Sequence, residues 1–119
     1  MGADINTRDL YGQTILHEIA REWHTDVAKF FIQNGGDVNL PDYYGRTALH
    51  VAAWADYAEM VEFLIENGAN IEARDYKNRT PLYVAAELDR SYSAQYLIDE
   101  NANATVKGKQ TFYSWYFKG

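Results

Sequence analysis

Short apolar stretches recur in pairs along the chain, and their spacing predicts paired helices. Leu49, Ala52 and Ala53 fall on one face of a short helix, and the small alanines let a second helix approach closely. That second helix is predicted over roughly 58 to 66, where Val61, Leu64 and Ile65 follow i, i+3, i+4 spacing. Asn67-Gly68 ends it, because Gly68 is free to adopt the left-handed conformation. Ile71 and the residues after it run extended into Asp75, where a hairpin-like turn begins. Thr80-Pro81-Leu82 reads as an N-cap followed by proline at the first helical position. A helix pair this short cannot bury its own apolar faces, so neighbouring pairs must stack.

The pairs are periodic. Asp9, Asp42 and Asp75 lie 33 residues apart. The same offset links Thr14, Thr47 and Thr80, then Leu16, Leu49 and Leu82, then Ala20, Ala53 and Ala86, then Ile32, Ile65 and Ile98. Gly12 and Gly45 pair with Asn78, Gly35 and Gly68 with Asn101, and His17 and His50 with Tyr83. The stretch Asp42-Tyr43-Tyr44-Gly45-Arg46-Thr47-Ala48-Leu49-His50-Val51-Ala52-Ala53 resembles the D-x-x-G-x-T-P-L-H-x-A-A signature of the ankyrin repeat. Val61 to Ile71 is similar to the second helix and closing turn of that family, and Pro81 supplies the proline missing at Ala48. The resemblance covers roughly residues 2 to 106. It implies an all-α solenoid of stacked helix-turn-helix units joined by hairpin-like turns.

On this register residues 1–119 form one domain, with a partial-repeat tail over 2–8 and repeats over 9–41, 42–74 and 75–107. Residues 108–119 are then a partial repeat or a C-terminal cap. Gly2-Ala3-Asp4-Ile5-Asn6 repeats Gly35-Gly36-Asp37-Val38-Asn39, and so is the tail of a repeat whose helices are absent. Solenoid ends need polar outer faces. Glu18, where the later repeats carry Val51 and Val84, suits an exposed first repeat. Gly108 to Thr111 resembles the start of a fourth repeat with altered spacing. Phe112, Tyr113, Trp115, Tyr116 and Phe117 read as a short capping helix, with a truncated array end as the alternative. Trp23, Asp56 and Asp89 stand where the family usually has glycine. Aspartate tolerates positive φ and tryptophan does not, so the first repeat is expected to turn differently.

Composition narrows the function. No run approaches the ~20 apolar residues that span a bilayer, and the N-terminus lacks the basic and apolar regions of a signal peptide. There is no cysteine, which excludes disulfides and thiolate metal sites. An intracellular setting, cytoplasmic or nuclear, fits these features. The net charge of −6 argues against nucleic acid and anionic membranes as partners. His17 and His50 lie a repeat apart, and His24 stands alone near a turn, so no metal site is expected. The resemblance implies that His17 and His50 tie one repeat to the next. The turn aspartates are explained by backbone capping. Serines occur only at 91, 93 and 114, with no nucleophile motif or phosphate loop, so no enzyme activity and no cofactor is expected. Asp37-Val38-Asn39 is similar to an ankyrin site modified by an asparaginyl hydroxylase, although Phe31 departs from the family's leucine. The favoured reading is that Asn39 buttresses its turn, with hydroxylation as the alternative.

The resemblance implies binding of another protein through turn tips and the exposed side of the first helices, by a chain that is monomeric alone. The tip residues are Leu10, Tyr11 and Gln13, then Tyr43, Tyr44 and Arg46, then Tyr76, Lys77 and Arg79. The helix positions are Arg21 and Glu22, Trp54 and Ala55, and Glu87 and Leu88. Tyr11, Tyr43, Tyr44, Trp54 and Tyr76 are expected as an aromatic stripe, with one or two tyrosines packing on neighbouring tips. Arg46, Lys77 and Arg79 lie beside it to pair with acidic groups, and Arg21 and Glu22 are expected to form a more polar edge. Two readings stand: a protein-binding module, natural or engineered, and a folding fragment of a longer array with no binding of its own.

Overall fold

A computed structural model describes residues 4–100. Its elements are α1 (Ile15–Ile19), α2 (Thr25–Gln33), α3 (Ala48–Ala55), α4 (Ala58–Glu66), α5 (Pro81–Glu87) and α6 (Ser91–Asp99), with no strand among the described residues. The helix read at 58–66 is α4. Asn101 and the segment 108–119, with its predicted aromatic cap, lie outside the described residues.

Each first helix starts at a threonine in extended backbone: Thr14, Thr47 and Thr80. The Thr47 and Thr80 side chains accept the N–H groups of His50 and Tyr83. In the first two pairs a histidine completes the cap. His17 Nδ1 accepts the Thr14 N–H at 3.0 Å, and His50 Nδ1 accepts the Thr47 N–H at 3.1 Å. This is the reciprocal logic of a capping box, with imidazole in place of a carboxylate.

Helices stack in two rows. α3 packs on α1 and α5, and α4 packs on α2 and α6. Between the rows lies one core containing Leu16, Leu49, Leu82, Phe31, Leu64 and Leu97. Ala52, Ala53 and Ala85 are fully buried, so helix backbones approach closely, as the small residues predicted. The tip of one pair also bonds to the tip before it. Tyr43 N–H donates to the Tyr11 carbonyl at 2.9 Å, and Tyr76 N–H to the Tyr44 carbonyl at 3.0 Å.

The first pair differs from the others. Asp56 and Asp89 have φ of 61° and 62°, whereas Trp23 is not in the left-handed region. α1 ends at Ala20 in right-handed backbone, after only five residues. Asn78 takes φ of 63° in place of the glycine at positions 12 and 45. Glu18 is exposed as expected, but the outer face of this pair is not simply polar. Ile15, Val27 and Phe30 are also exposed, where Ala48 and Met60 at the same register are buried.

Candidate binding groove

Three turns are built by one device. Asp42 Oδ1 accepts the N–H groups of Tyr44 (2.8 Å) and Arg46 (2.9 Å). Asp9 and Asp75 do the same for Tyr11 and Gln13, and for Lys77 and Arg79. The second oxygen of Asp42 holds Arg46 Nε at 2.8 Å, and that of Asp75 holds Arg79 Nε at 2.9 Å. Burial alone pushes the Asp42 carboxyl up. The backbone N–H groups of Arg46 and Tyr44 and the Arg46 guanidinium outweigh this and hold it below its ordinary value.

The histidines are structural links. Their Nδ1 atoms accept threonine N–H groups, so the neutral ring carries its proton on Nε2. Nε2 of His17 donates to the Arg46 carbonyl at 2.8 Å, and Nε2 of His50 to the Arg79 carbonyl at 2.7 Å. Each imidazole thus joins one helix start to the next turn. Desolvation by burial lowers both pKa values, against the opposing pull of those carbonyl bonds. Among the described residues no three His, Cys, Asp or Glu side chains converge.

The first helices and turns enclose an open groove of about 330 Å³ that runs across all three pairs. The first pair contributes Gln13 and Arg21, and the second Arg46, His50, Val51 and Trp54. The third contributes Asp75, Arg79, Val84, Glu87 and Leu88. Seven of the residues read from the sequence as binding positions therefore meet here: Gln13, Arg21, Arg46, Trp54, Arg79, Glu87 and Leu88. Arg21 lies in the groove itself and donates from Nη2 to Gln13 Oε1 at 3.0 Å, whereas Glu22 is not among the lining residues.

The tip residues divide differently. Leu10, Tyr11, Tyr43, Tyr44, Tyr76 and Lys77 are exposed but do not line the groove, and Ala55 is half-buried outside it. Two tyrosines pack on neighbouring tips. A methyl group at Gly12 would lie 2.5 Å from the Tyr43 ring, and one at Gly45 would lie 2.6 Å from the Tyr76 ring. Both glycines also have φ of 80°, so the turn needs them for conformation and for close approach. Tyr44 instead lies beneath the Arg46 guanidinium, 4.9 Å from ring centre to Cζ.

Sequence reasoning missed His50, Val51, Asp75 and Val84 as groove lining. Val51 and Val84 are themselves buried, and Val51 belongs to the core, so the exposed Glu18 at the same register was the one hint that this position reaches the groove. His50 and Asp75 escaped notice because their structural bonds already explained them. Asn39 is bound on both ends of its amide. Its Nδ2 donates to the Gly68 carbonyl at 3.0 Å, and its Oδ1 accepts the Asn70 N–H at 2.7 Å. Asn6 makes the matching bonds to Gly35 and Asp37. This ladder is what a turn buttress requires.

The family model described as ankyrin repeats in three copies matches residues 1–75, more than half of the chain. The chain belongs to the ankyrin-repeat family. The 33-residue register and the helix pairs continue past the matched segment through α5 and α6. A search of curated proteins finds no match. Ankyrin repeats are in general protein–protein interaction modules, and the family is typically non-enzymatic. No helix among the described residues is long and apolar enough to cross a membrane.

Proposed function

We propose that this ankyrin chain is a protein-interaction module that grips its partner in the groove between α1, α3 and α5 and their turns. It works without cofactor or catalysis, as a monomer, inside the cell. One observation carries the reading. Trp54 and Leu88 are 50% and 39% exposed, and both line a groove whose polar members are already held by internal bonds. Solvent gives an exposed tryptophan no stabilisation, whereas a partner burying it gains a rigid anchor. A folding fragment without a binding role has no use for a preordered groove of this kind. The irregular turn at Trp23 supports a natural scaffold over an engineered one.

The test is affinity capture from cell lysate with wild type and a Trp54→Ala, Leu88→Ala variant of matching circular dichroism. Proteins retained by wild type and lost by the variant are expected. Identical retention by both would remove the groove as the site.

A further inference from the structure

We propose that the groove recognises a peptide segment that is both acidic and apolar, with carboxylates on its three arginines and an apolar side chain on Trp54 and Leu88. This rests on the groove being the protein-binding site. The whole chain has a net charge of −6, yet the groove gathers Arg21, Arg46 and Arg79 against two carboxylates, Asp75 and Glu87. Counting also the buried Asp42 that holds Arg46, three carboxylates balance the three arginines, so the groove is locally near neutral in a chain of net charge −6.

Each guanidinium is held in place while keeping donors to spare. Arg46 is fixed through Nε by Asp42 and from below by the Tyr44 ring. No hydrogen bond among the described residues occupies its terminal nitrogens. Arg79 is fixed through Nε by Asp75, with Glu87 at a looser 3.6 Å. Arg21 is held by neutral Gln13, and no carboxylate among the described residues pairs with it. A guanidinium offers five N–H donors in a fork matched to a carboxylate. Prior fixing lowers the ordering cost of binding. Arg21 is the strongest candidate anchor, because among the described residues no carboxylate forms an ion pair with it and its partner is the neutral Gln13.

Trp54 and Leu88 set the second requirement, since only an apolar side chain gains by covering them. Phosphodiester fits less well. A nucleic acid carries a charge at every nucleotide and would bring some of them against Glu87, whose side chain is 47% exposed. A peptide places carboxylates only where the arginines stand.

The experiment pans a random dodecapeptide phage library on the full chain, then measures recovered peptides by fluorescence anisotropy. Arg21→Gln, Arg21→Lys and Trp54→Ala variants are compared after their urea midpoints are shown to match wild type. Recovered peptides are expected to be rich in Asp and Glu together with Leu, Phe or Trp. Arg21→Gln should weaken them about tenfold, with partial recovery in Arg21→Lys, and added salt should weaken them further. Neutral or basic peptides that still depend on Trp54 would overturn the acidic preference while leaving the groove as the binding site. Peptides indifferent to every variant, or none recovered, would overturn both. Tighter groove-dependent binding of a single-stranded thymidine dodecamer than of any acidic peptide would overturn the proposal in favour of phosphate.

Discussion

The first and second helix pairs share a register but end their first helices in different ways. α3 runs for eight residues and closes on Asp56 in left-handed backbone. The Asp56 carboxylate then reaches into the next pair and accepts the Ser93 N–H at 3.0 Å, capping the start of α6. Arg90 Nε adds a bond to the Trp54 carbonyl at 2.8 Å. α1 runs for five residues, closes on Ala20 in right-handed backbone, and is followed by Trp23 stacked on His24. Trp23, whose indole has only a donor, cannot offer α4 (Ala58–Glu66) the carboxylate oxygen that Asp56 gives α6. The first pair keeps the His17 and tip bonds to the second, but the end of its first helix adds no tie like that of Asp56 to Ser93. The second and third pairs form the firm part of the stack, and the first pair is held more lightly.

The largest expected effect tests that ranking. Leu49 is fully buried at the centre of the stack. Leu49→Ala should cost about 2–5 kcal/mol in urea unfolding, as a large-to-small core change. Leu16→Ala, at the same register in the first pair, should cost less, because only one neighbouring pair loses contacts. Equal costs would show that the first pair is as firmly integrated as the second.

An intermediate effect concerns the histidine links. His50→Ala should cost about 1–3 kcal/mol by leaving buried partners unpaired, and more than His17→Ala. The pH dependence has a definite sign. Both imidazoles titrate below their ordinary 6.5 in the folded chain, so between the folded value and 6.5 the unfolded chain binds more protons. Stability is full above that window and falls as pH drops through it. Asp42, held below 3.8 when folded, adds a second loss as pH falls past 3.8. Urea midpoints measured across this range should show two descending steps, and the upper one should shrink in His50→Ala. A flat profile between pH 7 and 5 would mean that the histidines are not held neutral.

The smallest effect isolates the turn. Asp56→Ala removes the bond to Ser93 and leaves alanine, which tolerates positive φ less well than aspartate, in left-handed backbone; it should cost about 1–2 kcal/mol. Asp56→Asn should cost less, since asparagine tolerates that conformation and still offers an oxygen. Calorimetry of the two variants measures the difference directly. If both equal wild type, the tie between the second and third pairs lies elsewhere.

Most of the architecture was legible in the chain because repetition supplies its own control. Asp42, Thr47 and Leu49 each recur at the same offset, and each does one local job that needs only its neighbours in sequence. The exceptional turn at Trp23 was legible for the same reason, since left-handed backbone excludes tryptophan whatever surrounds it. The binding surface was legible in part. Trp54, Leu88, Arg46 and Arg79 could be placed on the outward side of a helix or turn once the resemblance to ankyrin repeats supplied the register. Tyr43 and Tyr76 could not, because nothing in the local pattern says whether a tip tyrosine stands free or lies across the glycine of the tip before it.

Local covalent geometry and periodic burial thus settled the helices, caps, turns and their 33-residue order from the amino-acid sequence itself. What only the tertiary structure decided was the company each exposed residue keeps. Arg21 joined Trp54 and Arg79 in one groove, and Asp56 met Ser93 across a repeat boundary. Those meetings depend on the rotation and spacing between stacked pairs, a geometry set by how core side chains interlock and absent from any single repeat.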